Sequence, residues 1–553
     1  MSTVEAAHYQ PDLHHLTKRQ LAGILTGLLL TLLLAAVDQT VVGTAMPRII
    51  GQLNGFDRYP WVTTAYLLTS TIAVPVFAKL SDMYGRKWLF LAGTILFVVA
   101  SALCGASGEI PHFPGDGMTQ LIVFRGIQGI GAGMIIGLLF TIIGDIFAPA
   151  ERAKYQSLFV AVWGMASIIG PTVGGWITDQ FSWRWTFYVN LPIGALAAAA
   201  IWIELPHFRP HGVRRVIDWW GLITLNSTLI PLLLALTWAT DFGWTSPRVT
   251  SLLAFSFVML FLFLICEKRA AEPFIPLQLF REPVIAVSSI AVFVLGMGMF
   301  GVILYVPLFI QGVLGVSATR SGSLLTPLLM GAVVGSMAVG QIMSRTGRYR
   351  WLAILGAALA TTGMLCMSTM SRNTTNSQVV WYMVIAGLGM GVMQPIYTLV
   401  VQNVAPAAQR GAATASTQFF RSIGSTVGVA VFGSILLSIY HQDFERSIPP
   451  GTPAIALTPF KNPLLVVQLR ARLEAAFGRY PGGLDLLHRL LDNVRNSLVH
   501  GLRSIFLLGA LLMAAGLLVN LFLRDVPLRR RPTVRVPEQE VSPEVAYDQA
   551  VVE

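Results

Sequence analysis

The feature that most constrains this chain is its succession of apolar runs, each near 20 residues long, from about Leu21 to Leu523. A helix needs about 20 apolar residues to cross the hydrocarbon core of a bilayer. Of the 553 residues, 54% are hydrophobic and only 12% charged. A soluble protein of this size carries about a quarter charged residues, enough to cover its surface. The fold class expected is therefore an all-α, polytopic membrane protein, with the lipid bilayer as its principal partner. Fourteen spans are expected, at about 20–44, 59–79, 88–106, 119–141, 155–175, 185–203, 218–239, 248–266, 284–307, 321–343, 351–370, 379–401, 415–438 and 503–523.

An even number of spans puts both termini on one side, and Lys and Arg choose the side. With the N-terminus inside, 22 of the 38 basic residues fall in cytoplasmic segments and six in short outer loops. Eight more belong to the long segment before the last span and to that span's first residue, Arg503, and long segments count little in this rule. The termini are expected in the cytoplasm and the protein in the plasma (inner) membrane. The net charge of +11 fits basic cytoplasmic loops better than a nucleic-acid partner. No cleavable signal peptide is evident. Cys104, Cys266 and Cys366 lie in apolar runs and form no CxxC, so no disulfide framework is implied. The histidines form no ligand cluster, and no metal site is expected.

The chain repeats itself. "AKLSDMYGRK" (Ala78–Lys87) is echoed by "GQIMSRTGRYR" (Gly340–Arg350), "GIGAG" (Gly129–Gly133) by "GLGMG" (Gly387–Gly391), and "IGPTVGG" (Ile169–Gly175) by "IGSTVGV" (Ile423–Val429). The offsets are 262, 258 and 254 residues. The expected organisation has a segment 1–19, a six-helix half 20–203, two inserted helices 204–283, and a second six-helix half 284–525. That second half includes a long outer loop 441–501; a tail 526–553 is expected to be disordered. Paired repeats mark secondary transporters, whose substrate site lies between the halves near the midplane.

This pattern resembles the major facilitator superfamily, specifically its fourteen-span branch of drug:proton antiporters. "AKLSDMYGRK" is similar to the loop 2–3 signature, with Ala78 in place of the usual first glycine. "RGIQGIGAG" (Arg125–Gly133) resembles the span 4 motif, and "GPTVGG" (Gly170–Gly175) the span 5 motif associated with antiporters. "VDQTVVGTAMP" (Val37–Pro47) resembles the span 1 motif, with Gly43 where Asn is usual. "WRWTFYVNLPIG" (Trp183–Gly194) resembles the entry to span 6. The resemblance implies a proton-coupled exporter of lipophilic small molecules, driven by the proton gradient without a cofactor. The alternatives are export of a lipid or natural product, a proton symporter for uptake on the same fold, and, more distantly, a non-transporting receptor or scaffold. No nucleophile–base constellation points to an enzyme. The sequence leaves the oligomeric state open.

The residues support that reading one by one. Asp38 is a carboxylate at the end of an apolar run, and removal from water disfavours the anion. It can therefore hold a proton and release it when water arrives; the resemblance assigns it proton coupling. Counted from Leu21 it stands about 26 Å along a helix, so a place near the outer membrane surface is the alternative. Arg125 needs a partner at membrane depth, and Asp38 is the natural one; the resemblance implies a role for this arginine in proton transfer, and the alternative is snorkelling to the outer interface. Gln39 and Gln128 could extend a polar path, and Gln128 could equally be a helix-packing amide. Asp82, Gly85 and Arg86, with Asp145 at the end of span 4, form a candidate cytoplasmic latch. The second copy has Ser344 in place of Asp82. Gly164, Gly170, Pro171, Gly174 and Gly175 place small residues and a kink along span 5. Arg421 either faces the cavity and favours anionic groups or lies at the inner interface. The "LDLLHRLLDNVRNSL" stretch (Leu484–Leu498) is apolar at Leu484, Leu486, Leu487, Leu490, Leu491 and Val494. That spacing predicts an amphipathic helix lying on the outer membrane surface; a partner-docking site or a cap over the exit is the alternative.

Overall fold

The computed structural model describes residues 17–526, apart from 112, 147–148, 207–217, 271–272, 274, 407–408, 451, 453–456 and 481. The expected N-terminal segment and tail fall almost wholly outside the described residues.

The first half contains α1 (Lys18–Leu53), α2 (Tyr59–Tyr84), α3 (Arg86–Gly105), α4 (Gly117–Ile146), α5 (Pro149–Gln180), the single turn α6 (Trp185–Tyr188) and α7 (Asn190–Glu204). The inserted pair is α8 (Trp219–Phe242) and α9 (Pro247–Arg269). The second half contains α10 (Pro283–Gly312), α11 (Ala318–Thr346), α12 (Arg350–Ser368), α13 (Asn376–Val404), α14 (Arg410–Arg446), α15 (Pro463–Phe477) and α16 (Gly483–Asn520). Local chemistry sets the ends. Thr17 and Thr375 open α1 and α13 with capping boxes to Gln20 and Gln378. Gly85 separates α2 from α3 at φ 95°, ψ 150°, which only glycine adopts readily.

Twelve helices among the described residues are long and apolar enough to cross a membrane. The expected fourteen are not reached, because α2 and α5 are absent from the twelve. They are helices of 26 and 32 residues, and each contains side chains outside the described residues.

The repeat is visible in the packing. Glycines in α4 and α13 let neighbouring backbones approach so closely that a Cβ would collide. A Cβ on Gly129 would lie 2.4 Å from the Tyr66 carbonyl oxygen, and one on Gly387 2.1 Å from that of Leu328. Gly133 meets the Ser70 oxygen as Gly391 meets that of Ala332. The partners in α2 and α11 are offset by 262 residues, as the first pair of echoed phrases is. Gly170 and Gly174 likewise press on Thr40 and Val41 of α1, while Gly424 and Gly428 press on Phe293 and Met297 of α10.

Two seams join the halves. At one, α5 meets α11. At the other, α2 meets α14, and α8 covers it with Leu225, Leu229 and Leu233 packed about Leu68 and Ala430. α9 lies outermost, exposing Phe255, Phe257 and Phe261.

At about 1.5 Å per residue, the 37 residues of α14 and 38 of α16 outrun a bilayer core of about 30 Å. Both project beyond the face opposite the chain ends, here termed the far face. Their extensions and α15 enclose a small core of Phe444, Phe460, Val466, Leu473, Leu487, Leu490 and Val494. The stretch from Leu484 is thus the first part of α16, not a separate helix lying on the membrane. Apart from Leu484, which is exposed, its apolar stripe is covered by α14 and α15. This helical cap also reaches the first half. The Asn462 amide donates to the carbonyl of Ile50 at 3.2 Å and to Asn54 Oδ1 at 3.3 Å. His441 Nε2 stands 3.1 Å from Asp57 Oδ1, and the Phe56 ring meets Tyr440 edge-on.

Candidate functional site

A closed polar cluster lies inside the first half. α1 supplies Asp38, which is 0% exposed, and α4 supplies Arg125, 2% exposed. Arg125 and Gln128 are three residues apart and so share one face of α4. Arg125 donates from NH1 to Asp38 Oδ2 at 2.6 Å and to Gln128 Oε1 at 2.9 Å. Gln128 Nε2 donates to Asp38 Oδ1 at 2.9 Å. α7 contributes Asn190, whose Nδ2 donates to the same oxygen at 3.1 Å and to Ser101 Oγ of α3 at 3.0 Å. Ser101 in turn donates to the Phe187 carbonyl at 2.9 Å. The carboxylate therefore accepts three N–H groups, one of them cationic, which is how a buried charge is accommodated. Both side chains are thus turned into the bundle and paired with each other, and Arg125 does not reach out to the protein surface.

Arg125 has a second exposure to consider. It lines a narrow cavity between the halves, together with Gln39 and Gly43 of α1, Tyr66 of α2 and Phe300 of α10. Its guanidinium carbon stands 4.2 Å from the Tyr66 ring centre. Asp38 does not line this cavity. It sits behind Arg125, turned into the first half, whereas its neighbour Gln39 faces the cavity. The two residues pair as expected but do not face the cavity together: the arginine forms the wall and the carboxylate lies behind it. Successive helical residues point about 100° apart, so Asp38 and Gln39 cannot share an orientation.

The glycines of α5 work on two sides. Gly170 and Gly174 admit α1, while a Cβ on Gly175 would lie 2.3 Å from the Ala318 oxygen of α11. From the other helix, a Cβ on Gly322 would lie 2.0 Å from the Pro171 oxygen. Gly164 departs from expectation: a Cβ there would meet only Val333, at 3.9 Å. Among the described residues, the close approaches of α5 and α11 at glycine lie in the far-face half of the seam. Asp179 completes it by accepting from the backbone N–H groups of Ala318 at 3.3 Å and Thr319 at 2.7 Å. These are two of the unpaired donors at the start of α11.

The remaining residues are dispersed. Arg86 is buried and donates to Ser81 Oγ at 2.6 Å, beside Gly85. The side chains of its proposed partners Asp82 and Asp145 lie outside the described residues. Arg421 is partly buried and its guanidinium has no hydrogen bond or ion pair among the described residues. Among those residues no group of three His, Cys, Asp or Glu could hold a metal. Sequence reasoning missed Asn190, Ser101 and Tyr66. Asn190 lies in the quoted "YVNLPIG", but a neutral amide at a helix start reads as a cap rather than a partner for a buried acid.

Residues 28–429 match the family model described as Major Facilitator Superfamily. The chain belongs to the major facilitator superfamily. It is 35% identical over 533 residues to the multidrug transporter protein MdtP of Bacillus subtilis (strain 168), covering 94% of this chain and 95% of that one. It is 37% identical over 418 residues to multidrug resistance protein 3 of the same organism, covering 75% and 80%. Among solved structures it is similar to a bacterial homolog of the human lysosomal transporter Spinster in an inward-facing, unoccupied conformation. The TM-score is 0.63 at 17% identity, covering 92% of this chain and 100% of that one, a likeness of fold alone. This protein is a multi-pass membrane transporter with a small-molecule substrate, and its relatives are transporters rather than enzymes.

Proposed function

We propose that this transporter is a proton-coupled exporter of lipophilic small molecules, working by alternating access of its two six-helix halves. Fourteen spans cross the plasma membrane in this reading, α2 and α5 joining the twelve. The chain ends face the cytoplasm, and the helical cap faces outward.

One observation carries the proposal: Arg125 stands between the cavity and the buried Asp38. In the ionised state the carboxylate holds the arginine through their ion pair. A proton arriving from the outer side converts Asp38 to the neutral acid, and the ion pair weakens. Arg125 is then free to move at the cavity wall, and the substrate site changes shape and charge. Release of the proton to the cytoplasmic side restores the pair. Substrate and proton thus drive opposite halves of one cycle. The segment Ser81–Arg86 serves as the cytoplasmic latch, and the α5–α11 seam as the outer one.

Purified protein in vesicles, with an imposed pH gradient and a panel of lipophilic dyes, tests the proposal. Dye movement should follow the gradient and reverse when the gradient is reversed. Dye movement indifferent to the gradient would count against proton coupling.

A further inference from the structure

Every hydrogen-bonding group turned toward Asp38 is a donor. Arg125 gives an N–H to Oδ2, and Gln128 and Asn190 each give one to Oδ1. That arrangement suits the carboxylate. It leaves the hydrogen of a carboxylic acid with no acceptor, and a buried polar hydrogen without a partner is costly, by about 1–3 kcal/mol. A site that cycles between the two states needs an acceptor within reach in one of them.

Gln128 cannot supply it cheaply. Its Oε1 already accepts from Arg125 at 2.9 Å and lies 3.6 Å from Cys104 Sγ. Turning that amide would set its NH2 against the guanidinium. Asn190 is different. Its Nδ2 serves Asp38 and Ser101, while its Oδ1 is buried without any hydrogen-bond partner. A neutral amide holds two donors and an acceptor. The terminal torsion of Asn is broad and roughly two-fold, so a half-turn of the amide is sterically accessible. After that half-turn, Oδ1 occupies the position of Nδ2, next to Asp38 Oδ1 and Ser101 Oγ. Ser101 is a hydroxyl and can donate to the new oxygen by turning its one hydrogen away from the Phe187 carbonyl.

We propose that Asn190 is a positioning residue for the proton on Asp38. Its amide donates to the carboxylate, then turns over and accepts the hydrogen of the acid, so that Asp38 meets a partner in both protonation states, at the cost of carrying the Nδ2 hydrogens to the place where Oδ1 had no hydrogen-bond partner. Atoms balance: a proton from water joins an Asp38 oxygen, Arg125 loses its counter-ion, and no other covalent bond changes. The titratable groups facing Asp38 are Arg125 on α4, Cys104 on α3 and Tyr66 on α2; α7 brings the untitratable Asn190. The inference rests on Asp38 as the proton-binding residue.

Infrared difference spectroscopy of the full-length protein in lipid, stepped from high to low pH, tests it. The carbonyl band of the protonated Asp38 is the one lost in Asp38→Asn. In Asn190→Leu this band should move to higher wavenumber, because the acid has lost its acceptor. The pH midpoint of the band should change with it. Asn190→Ser, whose hydroxyl falls short of Asp38, should behave the same way and serves if the leucine variant does not fold. A band unchanged in frequency and midpoint in either variant overturns the role of Asn190 while leaving Asp38 intact. Absence of any carboxyl band sensitive to Asp38→Asn overturns both this inference and the reading on which it rests.

Discussion

Tyr66 separates the roles of shape and polarity at the cavity wall. Its ring lies 4.2 Å from the Arg125 guanidinium, while its buried hydroxyl stands near Gln39 without a hydrogen bond of good geometry. Tyr66→Phe should therefore keep near wild-type transport. Tyr66→Leu removes the ring face, worth about 0.5–2 kcal/mol to a cation, and should weaken transport between about two- and thirtyfold. Rates in vesicles check both; a phenylalanine variant as poor as leucine would mean that the hydroxyl matters. At this scale the sequence was informative where a residue was out of place. Asp38, Arg125 and Gln128 stand out as charged or amide groups inside apolar runs. Their burial and mutual contacts agree with the pairing expected of ionisable residues in spans. Asn190 and Ser101 did not stand out, because small neutral polar side chains occur in such helices for many reasons. Only the arrangement of donors around Asp38 distinguishes them.

Helix–helix seams depend on what meets across them. The glycines and Pro171 of α5 were legible as a close-packing stripe, but their partner α11 was not, since pairing between segments about 150 residues apart leaves no local pattern. The loose surroundings of Gly164 were equally hidden. Gly175→Ala should force α5 and α11 apart and favour the state open at the far face. Asp179→Ala removes an acceptor for two N–H groups of α11, worth about 1 kcal/mol, and should shift the same balance roughly fivefold. A cysteine placed at Gln39 in a variant lacking Cys104, Cys266 and Cys366 reports on opening, through labelling by a membrane-impermeant maleimide added at the far face. Both substitutions should speed labelling. Labelling at the wild-type rate would show that this seam does not govern access. The amphipathic stretch from Leu484 illustrates the same limit: periodicity revealed an apolar face, but not whether lipid, α14 or α15 would cover it.

For the whole molecule, the repeat was the most legible feature, since three ordered echoes fixed two similar halves and the glycine contacts in α4 and α13 display the same offset. The cap was legible only as an alternative use of the long loop, and it bears on the cycle because it belongs to the second half yet holds α1 through Asn462. A disulfide between Asn54→Cys and Asn462→Cys, in the same cysteine-free background, should stop transport and release it on reduction. Undiminished transport by the cross-linked protein would mean that the cap and α1 need not part. The central claim is that the proton driving export is carried by Asp38. The most direct measurement compares wild type and Asp38→Asn in vesicles with an imposed pH gradient, following dye and proton movement together. The amide keeps the size of the side chain, so the variant should fold and still bind dye, while gradient-driven dye export and dye-dependent proton flux both vanish. Export by Asp38→Asn at the wild-type rate, with proton flux intact, would contradict the account.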